Sequence, residues 1–80
     1  MSRKSSERKP RAVDWVAVGR RIRQLRGFDL TQVDFASRIG VSQSYLSAIE
    51  QGRYEIGAEV LLTLSREFNK SIEWILTGEN

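Results

Sequence analysis

The segment GVSQSYLSAIEQG, residues 40–52, has a glycine at each end and a pattern that predicts a short, unusually polar helix. At about 100° per residue, Leu46 and Ile49 share one side, where they can pack against a core. The other side carries small, uncharged side chains, mostly with hydrogen-bonding groups. These side chains belong to Gln43, Ser44, Ser47, Ala48 and Gln51. The segment therefore predicts a helix with one buried side and one side free of charge.

The uncharged side of this helix favours contact with DNA. A helix side that faces only water usually carries Lys and Glu, which are good helix formers, whereas serine is a poorer one. Gln can form two hydrogen bonds with adenine, Ser can bond several base edges, and an Ala methyl can contact a thymine methyl. Small side chains also let a helix enter a major groove about 12 Å wide. The alternative is an ordinary solvated helix side. The predicted base-reading residues are Gln43, Ser44, Ser47 and Ala48.

A second predicted helix precedes this segment. Thr31 can cap its N-terminus, and Gly40 can end it in a left-handed conformation. Gln32 lies in its first turn, beside free backbone N–H groups that can bind a phosphate. Ser42 then caps the next helix after a short turn. Two helices joined by a short, glycine-containing turn form a helix-turn-helix, which is predicted here at about residues 31–52.

LTQVDFASRIGVSQSYLSAIEQG, residues 30–52, resembles the helix-turn-helix of the Cro and phage-repressor type, also called the XRE family. The family pattern is approximately L-[ST]-Q-x-x-L-A-x-x-x-G-[VM]-[ST]-x-x-x-[IL]-S-x-x-E-x-G, in which Phe35 replaces the usual Leu. The matching residues are Leu30, Thr31, Gln32, Ala36, Gly40, Val41, Ser42, Leu46, Ser47, Glu50 and Gly52. SIEWILTGE, residues 71–79, is similar to the fifth helix of that family, so the resemblance covers about residues 16–79.

The resemblance implies an all-α, five-helix, lambda-repressor-like DNA-binding domain that commonly acts as a homodimer. It implies that Gln43 and Ser44 read bases at the start of the third helix and that Ser47 and Ala48 follow one turn later. Tyr45 is an additional candidate, since it can cover the core edge or reach the DNA backbone. Arg53 is either a phosphate contact or a solvated loop residue. The residues that the resemblance assigns to phosphates are Gln32, Ser42 and Arg53.

Two departures from the family pattern affect these expectations. Glu50 in the family commonly pairs with an arginine near the end of the first helix, here Arg26. The link from Arg26 to Leu30 is one residue shorter than usual, which calls that pair into question. Ile56-Gly57 replaces the Pro-Ser that commonly precedes the fourth helix, so the start of that helix and its phosphate contact stay open.

Helical periodicity extends to most of the remaining chain. Asp14 can cap a helix that begins at Trp15 and that Gly27 ends. The arginines of this first helix are expected to be solvated rather than bound to DNA, because charge on an exposed helix side is the ordinary case. A fourth helix is predicted over residues 58–68, and Ser71 can cap a fifth. No segment alternates apolar and polar residues with β-branched side chains, so no strands are expected.

A chain of 80 residues is enough for one domain. We predict a flexible basic leader over residues 1–12 and a helix-turn-helix DNA-binding domain over residues 13–80. The net charge of +3 is concentrated in the leader, MSRKSSERKPRA, which is too polar to fold alone. Two interpretations of the leader stay open, a solubilising tail and an arm that binds nucleic acid.

Composition excludes several classes of function. The chain has no cysteine and no histidine, so it lacks disulfides, the commonest zinc ligand and the commonest general base. No apolar run approaches the roughly 18 residues of a membrane span, and residues 1–12 lack the apolar stretch that is typical of a signal peptide. We therefore expect a non-enzymatic, cytoplasmic protein without metal or cofactor, which is associated with the nucleoid when it binds DNA.

The predicted partner is double-stranded DNA, and the predicted function is transcriptional regulation, most simply repression at a palindromic operator. Because one recognition helix reads only a few base pairs, we expect a homodimer whose two recognition helices lie about 34 Å apart. The predicted dimer surface is the exposed part of the fourth and fifth helices, near Ile72 and Ile75. The alternatives are an antitoxin-like protein that binds a protein partner, and an interaction module with this fold but no DNA function.

Overall fold

The computed structural model describes residues 12–79, in which all regular secondary structure is α-helical. The five helices of this range are α1 (Trp15–Arg26), α2 (Gln32–Ile39), α3 (Gln43–Glu50), α4 (Ala58–Phe68) and α5 (Ile72–Thr77). They confirm the predicted all-α, five-helix architecture. The predicted leader, residues 1–12, lies outside the described range except for Ala12. Within residues 12–79, every helix falls short of the length and hydrophobicity that a membrane span requires.

Side-chain caps begin four of the helices in this range, at the residues that the sequence predicts. In each case a side-chain oxygen accepts a hydrogen bond from the backbone N–H group three residues later. The capping pairs are Asp14–Ala17, Thr31–Asp34, Ser42–Tyr45 and Ser71–Trp74, at 3.1, 3.0, 3.0 and 2.9 Å. A cap of this kind contributes about 1 kcal/mol. The helix α4 begins instead at Gly57, which offers no side-chain cap.

The turn between α2 and α3 is only three residues long, residues 40–42. Gly40 ends α2 with φ 77° and ψ 31°, the left-handed conformation that the sequence predicts and that suits a residue without Cβ. The backbone N–H of Val41 donates to the carbonyl oxygen of Ala36 at 2.9 Å. This tight closure holds α2 and α3 at a fixed angle and gives the predicted helix-turn-helix.

The core draws at least one side chain from every described helix. Phe35 stacks on Phe68 with the ring centroids 4.8 Å apart and the planes 13° from parallel. Full burial of an apolar side chain of this size stabilises the fold by about 1.5–3 kcal/mol. The side chains with 0–1% of their surface exposed are Val18, Ile22, Phe35, Leu46, Ile49, Leu64 and Ile75. Leu46 and Ile49 are among them, so α3 is held by the side that the sequence assigns to the core.

A close contact between backbones fixes α1 across the C-terminal end of α3. A Cβ atom added to Gly19 would lie 2.4 Å from the carbonyl oxygen of Glu50 and 2.6 Å from that of Ile49. Only glycine therefore fits at this crossing. The crossing matters for function because it brings the C-terminal half of α1 alongside α3.

The structure corrects one part of the predicted dimer surface. Ile75 is fully buried, because α5 packs against α1 and α4 with this residue facing inward. The prediction that Ile75 forms part of an exposed surface is therefore wrong. Ile72 is half-buried against the core, and Leu62 of α4 is 40% exposed.

Candidate nucleic-acid interface

The outer side of α3 is open to solvent in the monomer. Gln43 and Ser44 are exposed, while Ser47 and Ala48 are half-buried. Because Leu46 and Ile49 hold the opposite side in the core, the four residues predicted to read bases lie together on one accessible helix face. None of them carries a charge, so this face is chemically matched to the donors and acceptors on base edges.

An ion pair lies behind this face and joins α1 to α3. Arg26 donates from Nε to Glu50 Oε2 and from Nη2 to Glu50 Oε1, both at 2.9 Å. The side chains are only 16% and 5% exposed, respectively. The hydrogen bonds to Glu50, more than its charge alone, raise the pKa of Arg26 above the ordinary value. The shorter link after Arg26 therefore does not prevent the pair, and the doubt raised by the sequence is removed.

Two glutamines extend the ion pair to the surface of α3. Gln32 Nε2 donates to Glu50 Oε1 at 3.0 Å, and Gln43 Nε2 donates to Gln32 Oε1 at 3.4 Å. The directions of these bonds follow from chemistry, because an ionised carboxylate only accepts hydrogen bonds. Glu50 must meet the amide NH₂ of Gln32, which turns Gln32 Oε1 toward Gln43. The buried Glu50 carboxylate thus orients the exposed amide of Gln43 through the amide of Gln32.

The network leaves Gln43 with the groups that adenine requires. One hydrogen of Nε2 is used by Gln32, so a second N–H and the Oε1 acceptor remain available. Adenine presents an N7 acceptor and an N6 donor in the major groove, and a glutamine amide can pair with both. Next to this group, Gln51 Nε2 donates to Ser47 Oγ at 3.4 Å.

The predicted phosphate contacts lie around the ends of α2 and α3. Ser42 Oγ accepts the N–H of Tyr45, which leaves its own O–H free to donate. Gln32 is the first residue of α2, where the backbone N–H groups have no acceptor within the helix. Arg53 is exposed just beyond the C-terminal end of α3. The structure thus places all three predicted residues at the surface near α3, although the side chain of Gln32 is also engaged in the network.

Tyr45 and Tyr54 form a pair that the sequence does not predict. Their rings are nearly parallel, 12° apart, with the centroids separated by 6.5 Å. Tyr45 is half-buried at the edge of the core and Tyr54 is 57% exposed. No sequence signal identifies this pair, because Tyr54 lies in the irregular segment between α3 and α4 and shares no periodicity with α3. The contact holds Tyr45 beside the exposed face of α3.

A shallow depression lies between α1, α2 and α3 at this surface. Arg23 of α1 is one of its lining residues and is exposed to solvent. Proximity of Arg23 to α3 follows only from the crossing of the helices. The depression is lined by Arg23, Arg26, Thr31, Gln32, Gln43, Ser47, Glu50 and Gln51.

A family model described as a helix-turn-helix domain matches residues 19–80. The chain belongs to this helix-turn-helix family. Its membership confirms the predicted resemblance to the Cro and phage-repressor type, and it agrees with the non-enzymatic class that the sequence predicts. The fold of this helix-turn-helix protein is also that of a solved repressor. It matches the crystal structure of the P22 c2 repressor in complex with a synthetic operator, with a TM-score of 0.71 and 32% sequence identity over 78% of this chain and 96% of the repressor chain.

Two curated relatives share the helix-turn-helix segment within longer chains. The propionyl-CoA carboxylase regulator of Cereibacter sphaeroides is 37% identical over 62 residues, which cover 76% of this chain and 13% of the regulator. Antitoxin PezA of Streptococcus pneumoniae is 36% identical over 55 residues, which cover 68% of this chain and 35% of the antitoxin. This chain therefore spans only 13% and 35% of the lengths of these two relatives.

Proposed function

We propose that this helix-turn-helix protein is a sequence-specific regulator of transcription that binds double-stranded DNA through α3. It acts as a repressor and as a homodimer on a palindromic operator. The observation that carries the proposal is the open, uncharged face of α3, whose exposed amide is ordered from behind by the Arg26–Glu50 pair. The match to a repressor structure that holds operator DNA supports the same function.

Base recognition is assigned to the outer face of α3. Gln43 contacts adenine through the N–H and Oε1 that its bond to Gln32 leaves free. Ser44 is exposed beside it and donates to or accepts from a neighbouring base edge. Ser47 and Ala48 lie one turn later and contact the next bases, with the Ala48 methyl against a thymine methyl.

Phosphate contacts flank this face and set the position of the protein on the duplex. Gln32 uses the second hydrogen of its amide, since the first donates to Glu50. Ser42 donates its hydroxyl, and Arg53 supplies a charge beyond the other end of α3. Tyr45, held by Tyr54, is an additional contact to the DNA backbone.

The small size of one α3 face supports the proposed dimerisation. A single recognition helix reads few base pairs, and two protomers with their helices about 34 Å apart double the contact on one side of the duplex. The exposed parts of α4 and α5, without Ile75, form the dimer surface. Sedimentation analysis of the protein bound to a palindromic duplex tests dimerisation. A stoichiometry of one protomer per palindrome contradicts the proposed homodimer.

A salt titration tests the DNA-binding function itself. Duplexes enriched from a random pool are titrated with protein at increasing salt, and the logarithm of the association constant should fall linearly with the logarithm of salt concentration. Ser44→Glu places a negative charge on the α3 face without touching the core, so it should abolish specific binding while the urea midpoint of unfolding stays unchanged. Absence of any enriched sequence, or equal binding by Ser44→Glu, contradicts the proposal.

Similarity to antitoxin PezA favours one alternative, a protein that neutralises a cognate toxin. Two results together would favour the antitoxin function over the regulator. A toxin encoded by a neighbouring gene would co-purify with this protein, and DNA binding would be absent or insensitive to salt. Under the regulator proposal the protein works in the cytoplasm, on the nucleoid when bound to DNA, and requires no cofactor.

A further inference from the structure

The arginines of α1 divide into two pairs with different surroundings. Arg21 Nη1 donates to the carbonyl oxygen of Ile75 at 3.0 Å, and Arg26 is bound to Glu50. Both therefore help to hold the fold. Arg20 and Arg23 are exposed, and the ion pairs found within residues 12–79 are Arg26–Glu50 and Arg38–Glu67. Two guanidinium groups of α1 thus have no carboxylate partner in the described part of the chain.

Arg20 and Arg23 are three residues apart and share one side of α1. Arg23 lines the depression that contains Gln43 and Ser47 of α3. Arg20 and Arg23 together line a second depression, which continues along α1 to the turn that follows it. The two depressions share Arg23 and Arg26, so the surface that carries the exposed guanidinium groups of Arg20 and Arg23 continues to the uncharged face of α3.

Phe28 lies on this surface, in the turn between α1 and α2. Its exposed area is 107% of the reference value, so no described part of the chain covers its ring. It lines the second depression together with Arg20 and Arg23. The ring therefore places apolar surface beside the two guanidinium groups, in a depression that Leu30 also lines.

We propose that Arg20, Arg23 and Phe28 form a second contact with DNA, which binds the sugar-phosphate backbone beside the base pairs that α3 reads. This inference rests on the proposed function. Arg20 and Arg23 bind phosphate oxygens with the paired N–H groups that suit such oxyanions. The ring of Phe28 packs on the deoxyribose of a flanking nucleotide. Duplex DNA is the occupant because the surface is positively charged and is continuous with α3.

The double variant Arg20→Gln/Arg23→Gln tests the charged part of this contact. It should weaken binding to all sequences alike, by about tenfold or more, because charge-assisted hydrogen bonds are lost. The slope of the salt dependence should fall by about 0.9 for each phosphate contact removed. Arg38→Gln is the control, since Arg38 is an exposed arginine of α2 that lies beside Glu67 and lines none of these depressions. An affinity and slope equal to those of Arg38→Gln overturn the proposal.

Phe28→Ala tests the apolar part without disturbing the core. The variant should bind a long duplex less tightly than the wild-type protein, but it should match the wild type on a duplex trimmed to the base pairs read by α3. Hydroxyl-radical footprinting should show loss of protection at the flanking sugars only. Wild-type affinity and protection on the long duplex overturn the role of Phe28.

The two levels of the proposal fail in different ways. If the wild-type protein binds no DNA sequence selectively, the function assigned to α3 is wrong. If the wild-type protein binds selectively and the Arg20, Arg23 and Phe28 variants behave like Arg38→Gln, only the second contact is wrong.

Discussion

Replacement of Arg26 by Met should destabilise the protein strongly, because it leaves Glu50 without its cation. The Glu50 side chain is 5% exposed, and among residues 12–79 only the amide of Gln32 would still donate to it. Removal of one partner of a buried ion pair costs about 3–5 kcal/mol. Since the Arg26 side chain is 16% exposed, some solvent reaches the pair, and we expect the lower end, about 3 kcal/mol. For a domain of this size that corresponds to a fall in Tm of about 12–24 °C.

Urea unfolding followed by tryptophan fluorescence measures this loss as a lower midpoint at constant slope. Arg38→Met is the matched control, because the Arg38–Glu67 pair is 3.8 Å long and its side chains are 51% and 43% exposed. That variant should lose less than about 1 kcal/mol. The double variant Arg26→Met/Glu50→Gln should recover much of the loss, since no charge stays buried and Gln32 keeps an acceptor. If Arg26→Met costs no more than Arg38→Met, the Arg26–Glu50 pair does not stabilise the fold as a buried ion pair.

Three further changes test the packing and the ionisation of the fold. Gly19→Ala gains about 1 kcal/mol of helix propensity but places a Cβ atom 2.4 Å from the Glu50 carbonyl oxygen. Urea unfolding should therefore show a net loss of about 2 kcal/mol in the free energy of unfolding. An increase in that free energy contradicts the close crossing of α1 and α3. Gly57→Ser supplies the cap that α4 lacks, at a position with open space, and should raise the free energy of unfolding by a few tenths of a kcal/mol; a lower value argues against the N-terminus placed there. Because the pKa of Arg26 is raised in the folded state, the Arg26–Glu50 pair stabilises the fold below the unfolded pKa, and this stability is lost only as pH rises through the folded pKa, far into the alkaline range. Since the chain has no histidine, the urea midpoint should be nearly constant between about pH 6 and 8. A clear pH dependence of the midpoint in that range contradicts this expectation.

The elements that the sequence predicts well are those specified by neighbouring residues. Asp14, Thr31, Ser42 and Ser71 each cap a helix through a group three residues away, so the starting points follow from local chemistry. The inward positions of Leu46 and Ile49 follow equally from helical periodicity. The exposed face of α3 could be predicted for the same reason, since it is the complement of that buried side.

The errors and omissions concern contacts between distant parts of the chain. Helical periodicity does not identify Ile75 as buried, because Trp74, Ile75 and Leu76 are consecutive apolar residues in a helix of six, which is too short to define an apolar side. The Arg26–Glu50 pair depends on how the shortened turn is accommodated, and Gly27 adopts φ 63° and ψ −153° there. The positions of Arg23 and Tyr54 beside α3 depend on helix crossing and loop path, for which the local pattern carries no signal.

Selection of bound duplexes from a random pool, carried out in parallel with the wild-type protein and Gln43→Ala, tests base recognition by α3 most directly. The wild type should enrich one sequence that contains an essential adenine. Gln43→Ala should enrich the same sequence but lose the preference at that adenine, at a cost of about 1–3 kcal/mol, while the other positions keep theirs. An unchanged preference at every position, or equal weakening on all sequences, would contradict base recognition by Gln43.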